Sequence, residues 1–210
     1  MSMIDRTSVV RLALRKLPQQ ERSVQRLEAI LDSAMALVLE KDVSTVTMSE
    51  IAQRAGIPIG SLYQFFPQKA AVLKALHDRL SMEIEDRVSQ IFSGVSSLEE
   101  AAKRGADALF ELHTLFRERP IFMSIWQAIQ SDKDLNHLSN DYHEHLMGVF
   151  LKDLAHLIPA EELGKVRITL KLFIITSGDV IRFATSQGPD AARVYLDRWH
   201  QIVRNSLFVS

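Results

Sequence analysis

Residues 47–67 read Thr-Met-Ser-Glu-Ile-Ala-Gln-Arg-Ala-Gly-Ile-Pro-Ile-Gly-Ser-Leu-Tyr-Gln-Phe-Phe-Pro, and this stretch decides the fold. Thr47 and Glu50 have capping-box spacing, in which hydroxyl and carboxylate reciprocally satisfy free amides at a helix start. Ile51, Ala52 and Ala55 then form the inner face of one short helix. Gly56 follows where a left-handed C-terminal residue is needed. Ile57 turns inward, and Pro58 suits the first turn of a second helix. Leu62 and Phe65 make that helix's inner face, and Ala52 is small where two crossing helices come closest. Together these features describe a helix-turn-helix, whose second helix lies in the DNA major groove. A generic helical corner inside a bundle would share the pattern, and the outward faces separate the two. Ser61, Tyr63, Gln64, Gln68 and Lys69 are polar. No acidic residue occurs in the 27 positions between Glu50 and Asp78, although 26 of the 210 residues are acidic. A phosphate-facing surface requires such an acid-free window.

Outward from this stretch the chain is all-α. Gly and Pro together number 14, and almost every long window has helical spacing, with no convincing alternating strand. Residues 23–41 place Leu27, Leu31, Ala34 and Val38 on one stripe. Residues 98–118 do so with Leu98, Ala102, Gly105, Leu109, Leu112 and Phe116, and residues 190–208 with Ala192, Leu196, Trp199, Val203 and Leu207. Punctuation at Gly56, Pro67, Pro120, Pro159 and Gly188-Pro189 gives about nine helices. The expected division is an N-terminal arm at 1–22, a three-helix DNA-binding head at 23–70, and a larger helical bundle at 71–210, to which the resemblance given below assigns ligand binding and dimerisation. Residues 1–77 hold ten Lys/Arg against seven Asp/Glu, whereas the whole chain carries a net charge of −1. That balance excludes a globally basic nucleic-acid coat and points polyanion binding toward the N-terminal end. The arm carries five Arg/Lys and two acids, which suits either a minor-groove arm or a solvated tail.

The span from Ile168 to Ala184 is apolar nearly all round, so its helix is buried on more than one side. A second copy of the chain would cover one side, with Gly178 allowing close approach; a central helix in a monomeric bundle is the alternative. The dimer is expected through the last two helices. Asp179 and Arg182 are read as an internal or cross-dimer ion pair.

Several function classes fall away. With no cysteine there is no disulfide framework, thiolate metal site or thiol switch. No stretch resembles an export signal, and the greasy span contains Lys171, Asp179 and Arg182, too polar to cross a bilayer. A cytoplasmic protein with no membrane partner is expected. His137, Asp141 and His145 share a helix face, but along one straight helix all three span about 12 Å and cannot converge on one ion, so no metal is expected. No Gly-rich phosphate loop, nucleophile elbow or His-Glu-x-x-His helix occurs, so neither an enzyme nor a cofactor is expected.

The run Ile51-Ala52-x-x-Ala55-Gly56-Ile57, followed by Gly60-Ser61-Leu62-Tyr63-x-x-Phe66-x-x-Lys69, resembles the tetracycline-repressor-like (TetR) transcriptional regulators. Ile30 to Ala34, Val46-Thr47 and Val72-Leu73 extend the likeness over about residues 23–75. The resemblance implies that Thr47, Tyr63 and Lys69 contact phosphates. It places Pro58, Ile59, Gly60, Ser61 and Gln64 at the exposed start of the recognition helix, where base edges are read. Gln64 suits adenine, and Ile59 suits a thymine methyl. Pro58 and Ile59 depart from the commoner capping Ser and polar residue, which leaves the operator sequence open. Phe65 and Phe66 are read as core.

In the second half, aromatic or adaptable side chains interleaved with polar groups mark pocket candidates: Phe110, His113, Thr114, Met123, Trp126, Gln127, Tyr142, Leu146, Phe173 and Ser177. Each serves equally as plain core. The resemblance implies that a small-molecule effector binds this half and that the helix beginning near residue 68 relays its binding to the head. The expected function is a homodimeric regulator of transcription, a repressor released from a palindromic operator by its effector. A ligand-responsive activator and an all-helical adaptor without DNA binding are the alternatives.

Overall fold

The computed structural model describes residues 21–207. The expected arm lies outside the described residues apart from its last two positions, which already belong to the first helix. Among the described residues there are nine α-helices and no strand. They are α1 (Glu21–Glu40), α2 (Met48–Arg54), α3 (Ile59–Phe65), α4 (Lys69–Phe92), α5 (Leu98–Glu118), α6 (Ile121–Ser131), α7 (His137–Leu154), α8 (Leu163–Thr185) and α9 (Pro189–Ser206). Single 3₁₀ turns occupy Val43–Thr45 and Ala155–Leu157.

Two compact units form. Among the described residues, the first joins 21–80 to 120–138, and the second joins 81–119 to 139–207. α4 runs through the change of unit at residues 80 and 81. α6 buries Ile121, Phe122, Ile125 and Ile129, and it packs on α1 and the Val43–Thr45 turn. With four apolar residues turned inward over three helical turns, α6 must cover a hydrophobic face, and the head's first helix supplies one.

The first unit's core is built from Ile30, Leu31, Ala34 and Val38 of α1, Ile51 and Ala52 of α2, Leu62 and Phe65 of α3, and Val72 and Leu76 of α4. In the second unit α5, α8 and α9 pack on one another. Gly105 of α5 sits where these helices meet: a Cβ there would come within 3.4 Å of the Phe92 ring and 3.6 Å of Phe173 and Leu207. Phe92, Phe150 and Phe173 stack through this core, with ring centroids 4.7 and 6.2 Å apart. Trp199 of α9 donates its indole N–H to the Ser177 hydroxyl of α8 at 3.0 Å, satisfying both polar groups within an apolar contact.

Candidate nucleic-acid interface

The local rules of the 47–67 stretch produce its geometry directly. Thr47 is the N-cap of α2; its hydroxyl accepts from the Glu50 amide, and the Glu50 carboxylate accepts the Thr47 amide at 3.0 Å. Lys41 donates to the same carboxylate at 2.6 Å, and this bond, followed by those from Thr47, pulls the Glu50 carboxyl down to about 2. At the other end of α2, Gly56 has φ +65°. The Ile57 amide bonds the Ala52 carbonyl at 3.0 Å and the Gly56 amide bonds the Gln53 carbonyl at 3.2 Å, a complete Schellman motif. Pro58 stands as the N-cap of α3 rather than inside its first turn. The Ser61 and Leu62 amides donate to its carbonyl.

Leu62, Phe65 and Phe66 are at most 4% exposed, so α3 is anchored firmly by its inner side. Its outer side presents Ile59, Gly60, Tyr63 and Gln64, with Ser61 half-buried. Gly60 has an ordinary helical φ, and a Cβ on it would meet nothing within 4 Å. Neither backbone conformation nor packing inside the chain calls for glycine at that position.

The acid-free window does not create a basic surface by itself. Arg54 pairs with Glu40 and Lys74 with Asp78, each at 2.6 Å. Lys69 donates to three backbone carbonyls, those of Val43 at 3.0 Å, Ser44 at 2.9 Å and Val46 at 3.0 Å. The outer side of α3 is therefore neutral and hydrogen-bonding in character. These ties were not legible from spacing, since Lys69 bonds residues 23 to 26 positions away.

The ten pocket candidates divide between the units. Met123, Trp126 and Gln127 lie on α6 in the first unit, and the other seven lie in the second. Phe110 and Thr114 line an open groove of about 320 Å³ on α5, together with Arg87, Glu111, Leu115 and Glu118. His113 faces inward instead, 8% exposed, with Nε2 buried and lacking a hydrogen-bond partner. Burial, then the nearby Arg117 charge, holds its imidazole below the usual value. Tyr142 is half-buried, and burial followed by the Glu85 charge pushes its phenol up. Leu146, Phe173 and Ser177 are buried. His143, absent from the sequence-based candidates, has a buried Nδ1 with no hydrogen-bond partner. Of the histidines weighed as metal ligands, His145 is largely exposed and faces Glu85 at 3.1 Å. Asp179 and Arg182 form an ion pair within α8.

No helix among the described residues is long and apolar enough to cross a membrane. A family model described as "Bacterial regulatory proteins, tetR family" matches residues 30–76, and one described as "Tetracyclin repressor-like, C-terminal domain" matches residues 97–210. A curated relative, the HTH-type transcriptional repressor KstR of Rhodococcus jostii (strain RHA1), is 33% identical over 63 residues. That match covers 30% of this chain and 30% of the relative's length. Among solved structures, a TetR-family transcriptional regulator from Streptomyces coelicolor is similar with a TM-score of 0.67 at 22% identity, over 87% of this chain and 95% of that one. The fatty acid degradation regulator FadR from Bacillus halodurans gives 0.62 at 17% identity, over 88% and 97%. SmeT, solved in complex with triclosan, gives 0.60 at 19% identity, over 88% and 95%. At such identities these structures speak to the fold. With one family model on the head and the other across more than half of the sequence, the chain belongs to the TetR family of bacterial transcriptional regulators, which regulate transcription rather than catalyse reactions.

Proposed function

We propose that this regulator is a repressor: a two-fold homodimer that binds a palindromic operator and leaves it when a small, largely apolar effector binds the C-terminal region. The observation that carries the reading is the outer side of α3. A rigidly anchored short helix turns Ile59, Gly60, Tyr63 and Gln64 outward, with an open position at Gly60 that the free chain does not need. Gln64 donates and accepts toward an adenine edge, Ile59 packs on a thymine methyl, and Tyr63 and Thr47 bond backbone phosphates. Pro58 and Ser61 shape the same edge of the helix.

Dimerisation is supported by apolar side chains left exposed on the last two helices. Ile168, Leu172 and Phe183 of α8 and Val194, Tyr195 and Ile202 of α9 are all at least 40% exposed. Phe183 and Tyr195 meet edge to face at 4.9 Å and join the two helices into one patch. A contiguous apolar patch of this kind marks an interaction site. A second copy offers the same patch across a two-fold axis. The effector reading draws on SmeT, whose solved complex holds triclosan. It also draws on the candidate lining residues of the second unit, Phe110, His113, Thr114, Tyr142, Leu146, Phe173 and Ser177. An effector shifts operator binding only to the extent that it binds one head spacing better than the other.

The test is selection of bound fragments from genomic DNA, followed by titration of the recovered fragment and a transcription reporter downstream of it. The expected result is an inverted-repeat site bound far more tightly than bulk DNA, with reporter output falling as protein is added. Equal affinity for all fragments, even at low ionic strength, would overturn the reading.

A further inference from the structure

We infer that the effector carries a carboxylate at one end of its apolar body, and that this head group sits over Gly178, between His143 of α7 and Arg182 of α8. The inference rests on the reading of the C-terminal region as an effector site and names the chemistry that binds there. All three residues belong to the second unit. Lys171, Gly178 and Arg182 recur at helical spacing and form one line along α8. Glu144 of α7 accepts a bond from Lys171, so that line faces α7. The exposed Ile168, Leu172 and Phe183 lie on another side of the same helix.

Open space stands within this line. Beyond the helix's own backbone, a Cβ on Gly178 would meet nothing within 4 Å except Arg182 Nη1 at 3.6 Å. His143 Nδ1 is buried with no hydrogen-bond partner, an arrangement that costs free energy until a partner arrives. Burial, then the Arg182 and Lys171 charges, lower the pKa of this imidazole against the opposing Glu144 charge, so it is neutral near pH 7. The Arg182 side chain is 16% exposed, and burial brings its guanidinium down to about 10. Asp179, its ion-pair partner within α8, is 59% exposed and shares little of that burial. A guanidinium is a planar fork of five donors and can hold a second carboxylate beside the first. Lys171 is already committed to Glu144. A carboxylate over Gly178 accepts from the guanidinium and from the Nδ1–H form of His143. An ammonium there would be repelled by Arg182, and an alcohol brings no charge to offset it. The apolar body follows α7, where Met147 and Phe150 continue the inner side from His143 and are at most 5% exposed. Phe150 meets Phe173 of α8 with ring centroids 6.2 Å apart. Methionine fills irregular gaps, and side chains at binding sites change rotamer readily.

The experiment titrates the full chain by calorimetry with two probe sets, each fixing the tail and varying the head: decanoate, decanol and decylamine, and naphthylacetate with the matching alcohol and amine. Carboxylates are expected to bind about ten- to a hundredfold more tightly than alcohols, the scale of charge-assisted bonds. Arg182→Gln should abolish that preference and leave alcohol affinity unchanged. Gly178→Val fills the space over the helix and should weaken carboxylates by at least about tenfold. In ¹⁵N spectra of the wild type, the His143 ring signals should move with carboxylates and stay in place with alcohols. Equal binding of alcohols and carboxylates overturns the inference while leaving an apolar effector in place. A carboxylate preference that survives both substitutions overturns the placement over Gly178. Unmoved His143 signals overturn it whether or not the variants fold. Binding of no probe overturns the inference and the apolar-effector reading together. Carboxylates that bind as expected but leave the operator complex intact support the inference and overturn the reading of this region as the release site.

Discussion

Replacing Gly60 with alanine separates the stability of the head from its use. Gly60 is the second residue of α3, its φ is helical, and the added methyl meets nothing within 4 Å. Glycine in a helix costs about 0.5–1 kcal/mol relative to alanine, so Gly60→Ala is expected to stabilise the free protein by that order. In a chain of this size that raises the melting temperature by roughly 1–4 °C. Toward DNA the sign reverses. If the backbone at Gly60 approaches the duplex closely, the methyl occupies contact space, and overpacking of a fitted surface costs about 1–3 kcal/mol. Operator affinity should fall by about fivefold to a hundredfold. The salt slope should not change, since no cation is removed. Fluorescence anisotropy on the selected operator and thermal melting of the free protein measure both quantities. Unchanged affinity in a stabilised variant would show that the start of α3 does not face DNA. A lowered melting temperature would refute the claim of open space.

Three further outcomes follow from the same structure. Gly56→Ala also finds open space, but at φ +65° it is strained, so it should destabilise by about 1–2 kcal/mol in denaturant titration, the opposite sign to Gly60→Ala. Leu172→Glu, at a position 58% exposed, should yield the monomer's mass in light scattering with helix content intact; a dimer of wild-type mass would refute the α8–α9 interface. Burial, ahead of nearby cations, depresses the imidazoles of His113 and His143, so the folded state binds fewer protons than the unfolded chain. Their contribution is whole above the unfolded value of 6.5 and is lost as pH falls from there toward the lowered folded values. The melting temperature should therefore drop between about pH 7.5 and pH 5.5, and less steeply in His113→Leu, whereas parallel curves would rule His113 out as a source.

The sequence by itself determined whatever depends on neighbours within about one helical turn. Thr47 and Glu50 are three residues apart and cap each other as their spacing requires. Gly56 takes the left-handed conformation that a turn after Ala55 demands, and Leu62 and Phe65 point inward because their period is that of a helix. The family motif is made of such local features, so the head and its outward side chains were readable before any coordinates. Tertiary structure decided the rest. The family resemblance assigns Lys69 to a phosphate, and the fold also brings it against carbonyls more than 20 residues earlier, which no local spacing announces. α6 is amphipathic, which says that it must cover an apolar face and not which one, and folding placed it on α1. The pocket candidates divided between two units for the same reason. Side-chain type and period report that a residue is buried, and only the three-dimensional path of the chain settles against what.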